Sequence, residues 1–285
     1  VASNFEPHEV SPGIDLYKGN CVDVMNELEP SQFDMIFADP PYFLSNDGIT
    51  CQSGEMVKVN KGEWDRSGGF DADLEFTETW LAACKRVLKD TGTIWVSGTF
   101  HIIYKVGYLL EKLGFKLIND IVWFKPNAPP NLSCKYFTHS HETILWAKKD
   151  NKEKNTFNYD LMKNWNDPQD KIKNKGKQMR SVWWSPLIPQ EEKLHGSHPT
   201  QKPLFLLLRI IASCTNEGDS VLDPFNGSGT TAVAANLLER RYTGIELEDE
   251  YIKLTIERLQ HKDELSYYYP QQKSSPTLTS FLQSQ

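Results

Sequence analysis

Short apolar runs alternate with amphipathic stretches along most of this 285-residue chain. Runs rich in β-branched and aromatic residues predict strands at Ile14–Lys18, Phe33–Ala38, Thr93–Ser97, Ile118–Phe124, Glu142–Ala147, Ser220–Asp223 and Tyr242–Glu246. Apolar residues at helical spacing predict helices over Phe76–Leu88, Ile102–Leu113, Leu204–Cys214, Thr230–Leu238 and Asp249–Gln260. Thr91-Gly92 closes the first of these, Gly114 the second, and Thr200–Pro203 opens the third. Strands alternating with helices imply parallel βαβ units and an α/β, doubly wound sheet with helices on both faces.

Two stretches break the alternation. Ser45–Phe70 is polar and Gly-rich; Lys149–His198 is basic, Asn-rich and nearly aperiodic. Loops this long in a compact domain tend to be lids or binding insertions. The segment from Ser266 onward is low in complexity and is expected to be frayed. No internal repeat is visible.

Composition narrows the class. Hydrophobic residues make up 39% and aromatics 12%, which fits a folded globular chain. No apolar run approaches the roughly 20 residues that span a bilayer, and Val1–Ser11 lacks the apolar centre of a secretory signal. The 5 Cys (Cys21, Cys51, Cys84, Cys134, Cys214) form no CxxC pair, so a reduced, cytoplasmic setting is expected. The net charge is −7, but residues 148–180 carry ten Lys/Arg against five Asp/Glu, so this window is +5 and the remainder −12. A local basic surface on an acidic chain is compatible with a polyanionic partner, or with a merely solvated loop.

Asp223-Pro-Phe-Asn-Gly-Ser-Gly-Thr-Thr231 lies between a strand and a helix, where two glycines and free helix N–H groups let the backbone approach a ligand. Glu246 ends the next strand 23 residues later, placed to accept from ribose hydroxyls. The loop lacks the Lys-Ser/Thr of a P-loop and the third glycine of the dinucleotide fingerprint. A plain tight turn is the alternative for this loop alone.

Asp39-Pro40-Pro41-Tyr42 follows an apolar strand, at the edge where open α/β sheets carry ligands. The two prolines fix the backbone so that the Asp39 carboxylate and the Pro40 carbonyl can accept from one NH2 group, with an aromatic ring beside them. Methylation of an exocyclic base amine needs such a site. The lone pair is delocalised into the base, two acceptors draw it back to the nitrogen, and the base must leave the duplex and be held by stacking.

Together, Asp39–Tyr42 and the later Asp223–Gly229 loop resemble the β group of DNA amino-methyltransferases that use S-adenosylmethionine, with His198-Pro-Thr-Gln-Lys-Pro203 matching that group's cofactor-side motif. Ala38–Asn46, Ala128–Ser140, Glu142–Ala147, Tyr159–Lys163 and Gly176–Met179 are more closely similar to DpnA-type adenine methyltransferases of GATC restriction-modification systems. The resemblance runs from about Ile14 to Leu259 and implies a Rossmann-like, mostly parallel seven-stranded sheet with an inserted target-recognition segment. It implies a catalytic half at 14–148, target recognition at 149–197, a cofactor-binding half at 198–260 and a flexible tail at 261–285.

The catalytic residues implied are Asp39, Pro40, Pro41 and Tyr42. The cofactor residues implied are Asn20, Asp39, Thr200, Lys202, Asp223, Phe225, Asn226, Gly227, Ser228, Gly229, Thr230 and Glu246, with Lys202 neutralising the methionine carboxylate. Many relatives have Gly-Asp where this chain has Gly19-Asn20, so either Asn20 or Asp23 is expected to meet the cofactor adenine. The implied partners are DNA, a possible second copy of the chain, and an endonuclease sharing the target site without stable binding.

Cytosine-N4 methylation, where Ser commonly replaces the Asp, and a catalytically silent nucleic-acid binder are the alternatives. A metal at His139-x-His141 with Cys134 lacks a convincing fourth ligand, and no metal is expected. Trp183-Trp184, Tyr136 and Phe137 could stack on bases, but core or strand packing is the expectation for most of them.

Overall fold

The computed structural model describes residues 5–45, 49–52, 55–58, 65–165, 170–196 and 198–266. The strands are β1 (His8–Ser11), β2 (Ile14–Lys18), β3 (Phe33–Ala38), β4 (Ile49–Gln52), β5 (Glu55–Lys58), β6 (Leu88–Gly98), β7 (Lys116–Phe124), β8 (His141–Lys148), β9 (Val182–Trp184), β10 (Ser220–Asp223) and β11 (Arg241–Glu246). The helices are α1 (Cys21–Glu27), α2 (Phe70–Val87), α3 (Ile103–Lys112), α4 (Tyr159–Asn164), α5 (Leu204–Cys214), α6 (Thr230–Leu237), α7 (Asp249–Gln260) and α8 (Lys262–Ser266).

Nine strands form one sheet in the order β1-β2-β11-β10-β3-β6-β8-β7-β9. The expected seven are its centre, and β1 and β9 extend its edges. Strands β2, β11, β10, β3 and β6 run parallel, while β8 runs antiparallel to both β6 and β7. The parallel centre reads as continuous apolar runs because helices cover both faces. One layer of core holds Met35, Phe37 and Trp95 against α5 and α6; the other holds Ile36, Ile94 and Val96 against α2 and α3.

The alternate side chains of β3 and β6 thus divide between two cores, and the tips of β3, β10 and β11 come side by side at one edge. Several elements differ from expectation. Helix α2 starts at Phe70, six residues early, and α1 was not expected; Asn20 begins it as an N-cap, accepting from Val22 N–H at 2.9 Å. Strands β4 and β5 form a hairpin within Ser45–Phe70; much of the rest of that stretch lies outside the described residues.

The basic segment is more structured than its composition suggests. Strand β9 pairs parallel with β7, and Met162, Trp165 and Trp183 enter the main core. All eleven residues of α5 are buried, including Arg209, which bonds Asp170 of the segment at 2.8 Å and lies over the Trp183 ring. The segment therefore roofs an otherwise largely apolar helix. Residues Lys262–Ser266 of the expected tail form α8, and its remainder, 267–285, lies outside the described residues. Among the described residues no helix is long and apolar enough to cross a membrane.

Candidate active site

A cavity of about 270 Å³ opens at the tips of β3, β10 and β11. Asp39 and Pro41 line it from β3, the loop Asp223–Ser228 from β10, Glu246 and Leu247 from β11, and Thr200–Lys202 from the motif before α5. Pro40 and Tyr42 are buried behind the wall that Asp39 and Pro41 form.

The glycine loop is shaped from within. Gly227 and Gly229 have φ of +51° and +70°, the left-handed region that glycine enters without penalty. A Cβ on Gly229 would meet Thr255 at 2.4 Å, so the position is closed to side chains. Asn226 is locked: its amide donates to Thr255 Oγ1 at 2.8 Å and its carbonyl accepts from Tyr242 at 2.8 Å. Arg258 donates to the Ser228 carbonyl at 2.6 Å and to Thr230 Oγ1 at 2.9 Å. Asn226 and Thr230 thus hold the loop, although both also line the cavity.

Glu246 accepts three backbone N–H groups, from Gly227 at 2.7 Å, Leu247 at 2.8 Å and Glu248 at 3.0 Å. A carboxylate has about four acceptor positions, so capacity remains for a ligand hydroxyl. Burial raises the Glu246 pKa while these bonds oppose the rise. Asn20 lines the cavity with its side chain already capping α1. Asp23 lies in the first turn of α1 and is not among the lining residues, which favours Asn20 for whatever that corner holds.

Asp39 sits in a cluster of alternating charge. Its Oδ2 accepts from Lys202, and its Oδ1 accepts from the Tyr42 hydroxyl at 2.7 Å. Glu142 of β8 stands behind both donors, with Oε2 at 3.6 Å from Lys202 Nζ and 3.4 Å from the Tyr42 hydroxyl. Lys125, just past β7, pairs with the other Glu142 oxygen. Burial and the neighbouring Glu142 raise the Asp39 pKa against the opposing pull of Lys202. Burial alone would lower the Lys202 pKa, but Asp39 and Glu142 outweigh it, so the ammonium stays charged. In this structure Lys202 therefore meets carboxylates of the protein. The Tyr42 ring is 6% exposed, covered rather than presented.

Asp65 anchors the chain just beyond, accepting from the N–H groups of Tyr42 at 2.9 Å, Phe43 at 2.8 Å and Leu44 at 3.2 Å. This holds Phe43 at φ of +57°. The sequence reading missed the roles of Asp65, Glu142 and Lys125. The last two carried a signal: Glu142 opens the Glu142–Ala147 run of the resemblance, and Lys125 is the charge just past the expected strand Ile118–Phe124.

Other candidates separate. Trp183 is core, as expected, whereas Tyr136 and Phe137 are 63% and 97% exposed. His139 stacks on Phe100 with ring centres 4.4 Å apart. Among the described residues the group that could hold a metal ion is His195, Glu257 and His261, rather than His139, His141 and Cys134.

The cavity fits a nucleoside-bearing cofactor: a left-handed glycine loop, a carboxylate with spare acceptor capacity, and an aromatic wall from Phe76 and Phe225. Comparison with known proteins bears on which one. The N6/N4-type family model described as DNA methylase matches residues 33–257. The type II methyltransferase M2.DpnII of Streptococcus pneumoniae is 52% identical over 241 residues, covering 84% of this chain and 87% of that protein. M2.MboI of Moraxella bovis is 50% identical over 244 residues, covering 86% of each. The crystal structure of an M1.HpyAVI–SAM complex superposes with a TM-score of 0.61 at 28% identity, covering 86% of this chain and 98% of that one. The match spans both the Asp39 strand and the Glu246 strand, so the chain belongs to the DNA methylase family.

Proposed function

We propose that this protein transfers a methyl group from S-adenosylmethionine to the N6 amine of adenine in DNA, within GATC, as the modification enzyme of a restriction-modification system. One observation carries the reading: Asp39 of the Asp-Pro-Pro-Tyr turn lines the same cavity as the glycine loop and Glu246. An amine acceptor thereby stands next to a cofactor-sized space.

When bound, S-adenosylmethionine supplies an electrophilic methyl group on a sulfonium, which needs no metal for transfer. Glu246 would hold its ribose hydroxyls, the Gly227–Thr230 turn would lie along it, and Asn20 would meet its base. Phe225, which lines the cavity and is braced edge-on by Trp80 with ring centres 5.3 Å apart, would pack beside it. Thr200 and Lys202 line the same cavity, with Lys202 bonded to Asp39.

Asp39 and the Pro40 carbonyl would accept from N6 of a flipped adenine, returning its lone pair to the nitrogen, and the Tyr42 ring, covered in this structure, would have to be uncovered to support the base. Transfer of the methyl group would leave N6 with a surplus proton, the sulfur keeping the electron pair of the bond it gives up. Asp39, its pKa raised by burial, takes that proton or passes it to water.

Residues 149–197 act in target recognition, with 14–148 and 198–260 as the catalytic and cofactor halves around it. The exposed Tyr136 and Phe137 lie on the β7–β8 connection, which begins at Lys125 beside the charge cluster, and are suited to contact DNA. The enzyme works in the cytoplasm. It shares its site with an endonuclease it does not stably bind, and a second copy of the chain is a possible partner.

Incubating the protein with DNA and labelled S-adenosylmethionine, then probing GATC with methylation-sensitive nucleases and identifying the base by mass spectrometry, tests this. N6-methyladenine confined to GATC is expected. N4-methylcytosine would establish the alternative chemistry, and no transfer to any DNA would overturn the reading.

A further inference from the structure

We infer that Glu142 is a positioning residue for this methyl transfer: it is the carboxylate to which Lys202 and the Tyr42 hydroxyl turn when Asp39 engages the substrate amine. The inference rests on the reading of the site given above.

Asp39 is fully engaged in the structure. Its Oδ1 holds the Tyr42 hydroxyl and its Oδ2 holds the Lys202 ammonium. A carboxylate pinned by an ammonium is a poor acceptor for a neutral amine, because the cation already draws on the same lone pairs. Asp39 therefore has to loosen at least one partner before it can orient N6. In a water-poor site, an ammonium or hydroxyl released without a new acceptor carries a desolvation penalty.

Glu142 Oε2 meets that need for both partners at once. It already makes long contacts with both, 3.6 Å from Lys202 Nζ and 3.4 Å from the Tyr42 hydroxyl, each longer than the same donor's bond to Asp39 and able to shorten when that bond loosens. A shift of about 0.8 Å would bring Lys202 to the roughly 2.8 Å of a charge-assisted bond. The waiting carboxylate is itself fixed. Lys125 holds its other oxygen, the Ser97 hydroxyl lies 3.4 Å from Oε2, and the side chain is 11% exposed. Glu142 sits near the start of β8, paired with Trp123 of β7, so its backbone is held in the sheet.

Within the bonded cluster, Glu142 supplies the second of two negative charges that meet the two lysines. Asp39 and Glu142 face Lys202 and Lys125, with Tyr42 and Ser97 as neutral partners and Asp223 close enough to interact with Asp39 through space. Without the Glu142 charge, Lys202 keeps Asp39 as its one close carboxylate, and the pair locks. Loss of that negative charge also makes Asp39 easier to ionise, since Glu142 is one of the groups that raise its pKa.

The test compares Glu142→Gln with the wild-type chain in methyl transfer to a GATC duplex, across a pH series, with thermal unfolding in parallel. The expected result is a kcat lower on the order of 10-fold, below the 10²–10⁴ of a group that itself transfers the proton. KM for S-adenosylmethionine should hold, and the acidic limb of the rate profile should move to lower pH. Glu142→Asp keeps the charge but draws it away from both donors, so it should lose rate with the limb nearly unmoved. It also serves as the reporter if Glu142→Gln does not fold, when a wild-type kcat would overturn the inference.

A Glu142→Gln enzyme with wild-type kcat and limb would overturn it too. So would one whose rate falls only in step with the folded fraction while the limb stays in place. An active wild type with an indifferent variant sinks this inference alone, whereas a wild type that methylates no DNA sinks the functional reading and this inference together.

Discussion

Asp39 and Asp223 end or follow neighbouring parallel strands, β3 and β10, and both line the same cavity, yet they are held by opposite kinds of partner. Asp39 is held by a lysine and a phenol that have a second acceptor within reach. Asp223 is held by the Phe225 backbone N–H at 3.0 Å and the Thr231 hydroxyl at 2.6 Å, with no cation bonded to it among the described residues. Burial pushes the Asp223 pKa up to about 7, whereas Lys202 opposes the same effect at Asp39. A carboxylate tied to its own loop builds the cradle. A carboxylate tied to side chains that can exchange partners can take part in chemistry.

The sharpest way to break this contrast is at Asp39. Asp39→Ala removes one of two amine acceptors, and the rate should fall on the order of 10² or more, by analogy with loss of one preorganised hydrogen-bonding group. Calorimetry should show nearly unchanged S-adenosylmethionine binding. Near-normal turnover would mean that Asp39 is scaffold after all.

Glu246 belongs with the scaffold but keeps one free acceptor position. Glu246→Ala should weaken S-adenosylmethionine by roughly 1.5–3 kcal/mol, the range for a hydrogen bond to a charged group. Part of that loss comes through the Gly227 turn, since Glu246 holds its N–H. DNA affinity should stay. Equal cofactor affinity in calorimetry would move the ribose site off this strand.

Asp223 gives a prediction in pH. Its folded pKa is about 7 against an ordinary 3.8, so between those values the folded protein binds more protons than the unfolded chain. Its contribution is fully present below the unfolded pKa and is lost as pH rises toward 7, by up to about 1.4 kcal/mol per pH unit. Asp223→Asn should flatten this slope without abolishing folding. Denaturant melts at both ends of the window decide it, and an unchanged slope would show that the carboxyl titrates normally.

What was legible in the sequence follows the same division. The period of apolar residues marked seven strands and five helices because both faces of the sheet are covered, and α5 and β10 fall at the expected bounds. The glycine loop was legible because close approach demands glycine at fixed positions. The Asp39 cluster was only half legible: Lys202 lies 163 residues from Asp39, and Glu142 100 residues from Tyr42, so only topology joins them. Strand β9 has three residues and draws its stability from β7, so its own pattern could not announce it. The aperiodic basic segment read as a loop because its apolar anchors, Met162, Trp165 and Trp183, are spaced by the shape of α5 and the sheet rather than by a helix or strand period.

That segment supplies the smallest expected effect, and the structure sharpens where to look for it. Lys171, Lys173, Lys175, Lys177 and Arg180 form a basic run offset by Asp170 alone. They are not equivalent. Lys173 donates to the carbonyls of Lys163, Asn174 and Lys177 at 2.7–2.9 Å, so it folds the loop instead of facing a phosphate. Lys171 lies over the Trp184 ring at 4.7 Å. Lys175 and Lys177 are exposed, and Gly176 between them turns at φ of +75°. Replacing all four lysines would mix a folding defect with a binding defect. Replacing Lys175 and Lys177 with Gln isolates the charge. Every duplex phosphate that is no longer neutralised should lower the dependence of log affinity on log salt by about 0.9, so the pair should flatten it by up to about 2. Cofactor affinity should hold, because neither residue lines the cavity. Titrations at several salt concentrations read the slope directly. An unchanged slope would show that this run is only solvated, and would place the DNA face on the β7–β8 connection, with Lys135 beside the exposed Tyr136 and Phe137.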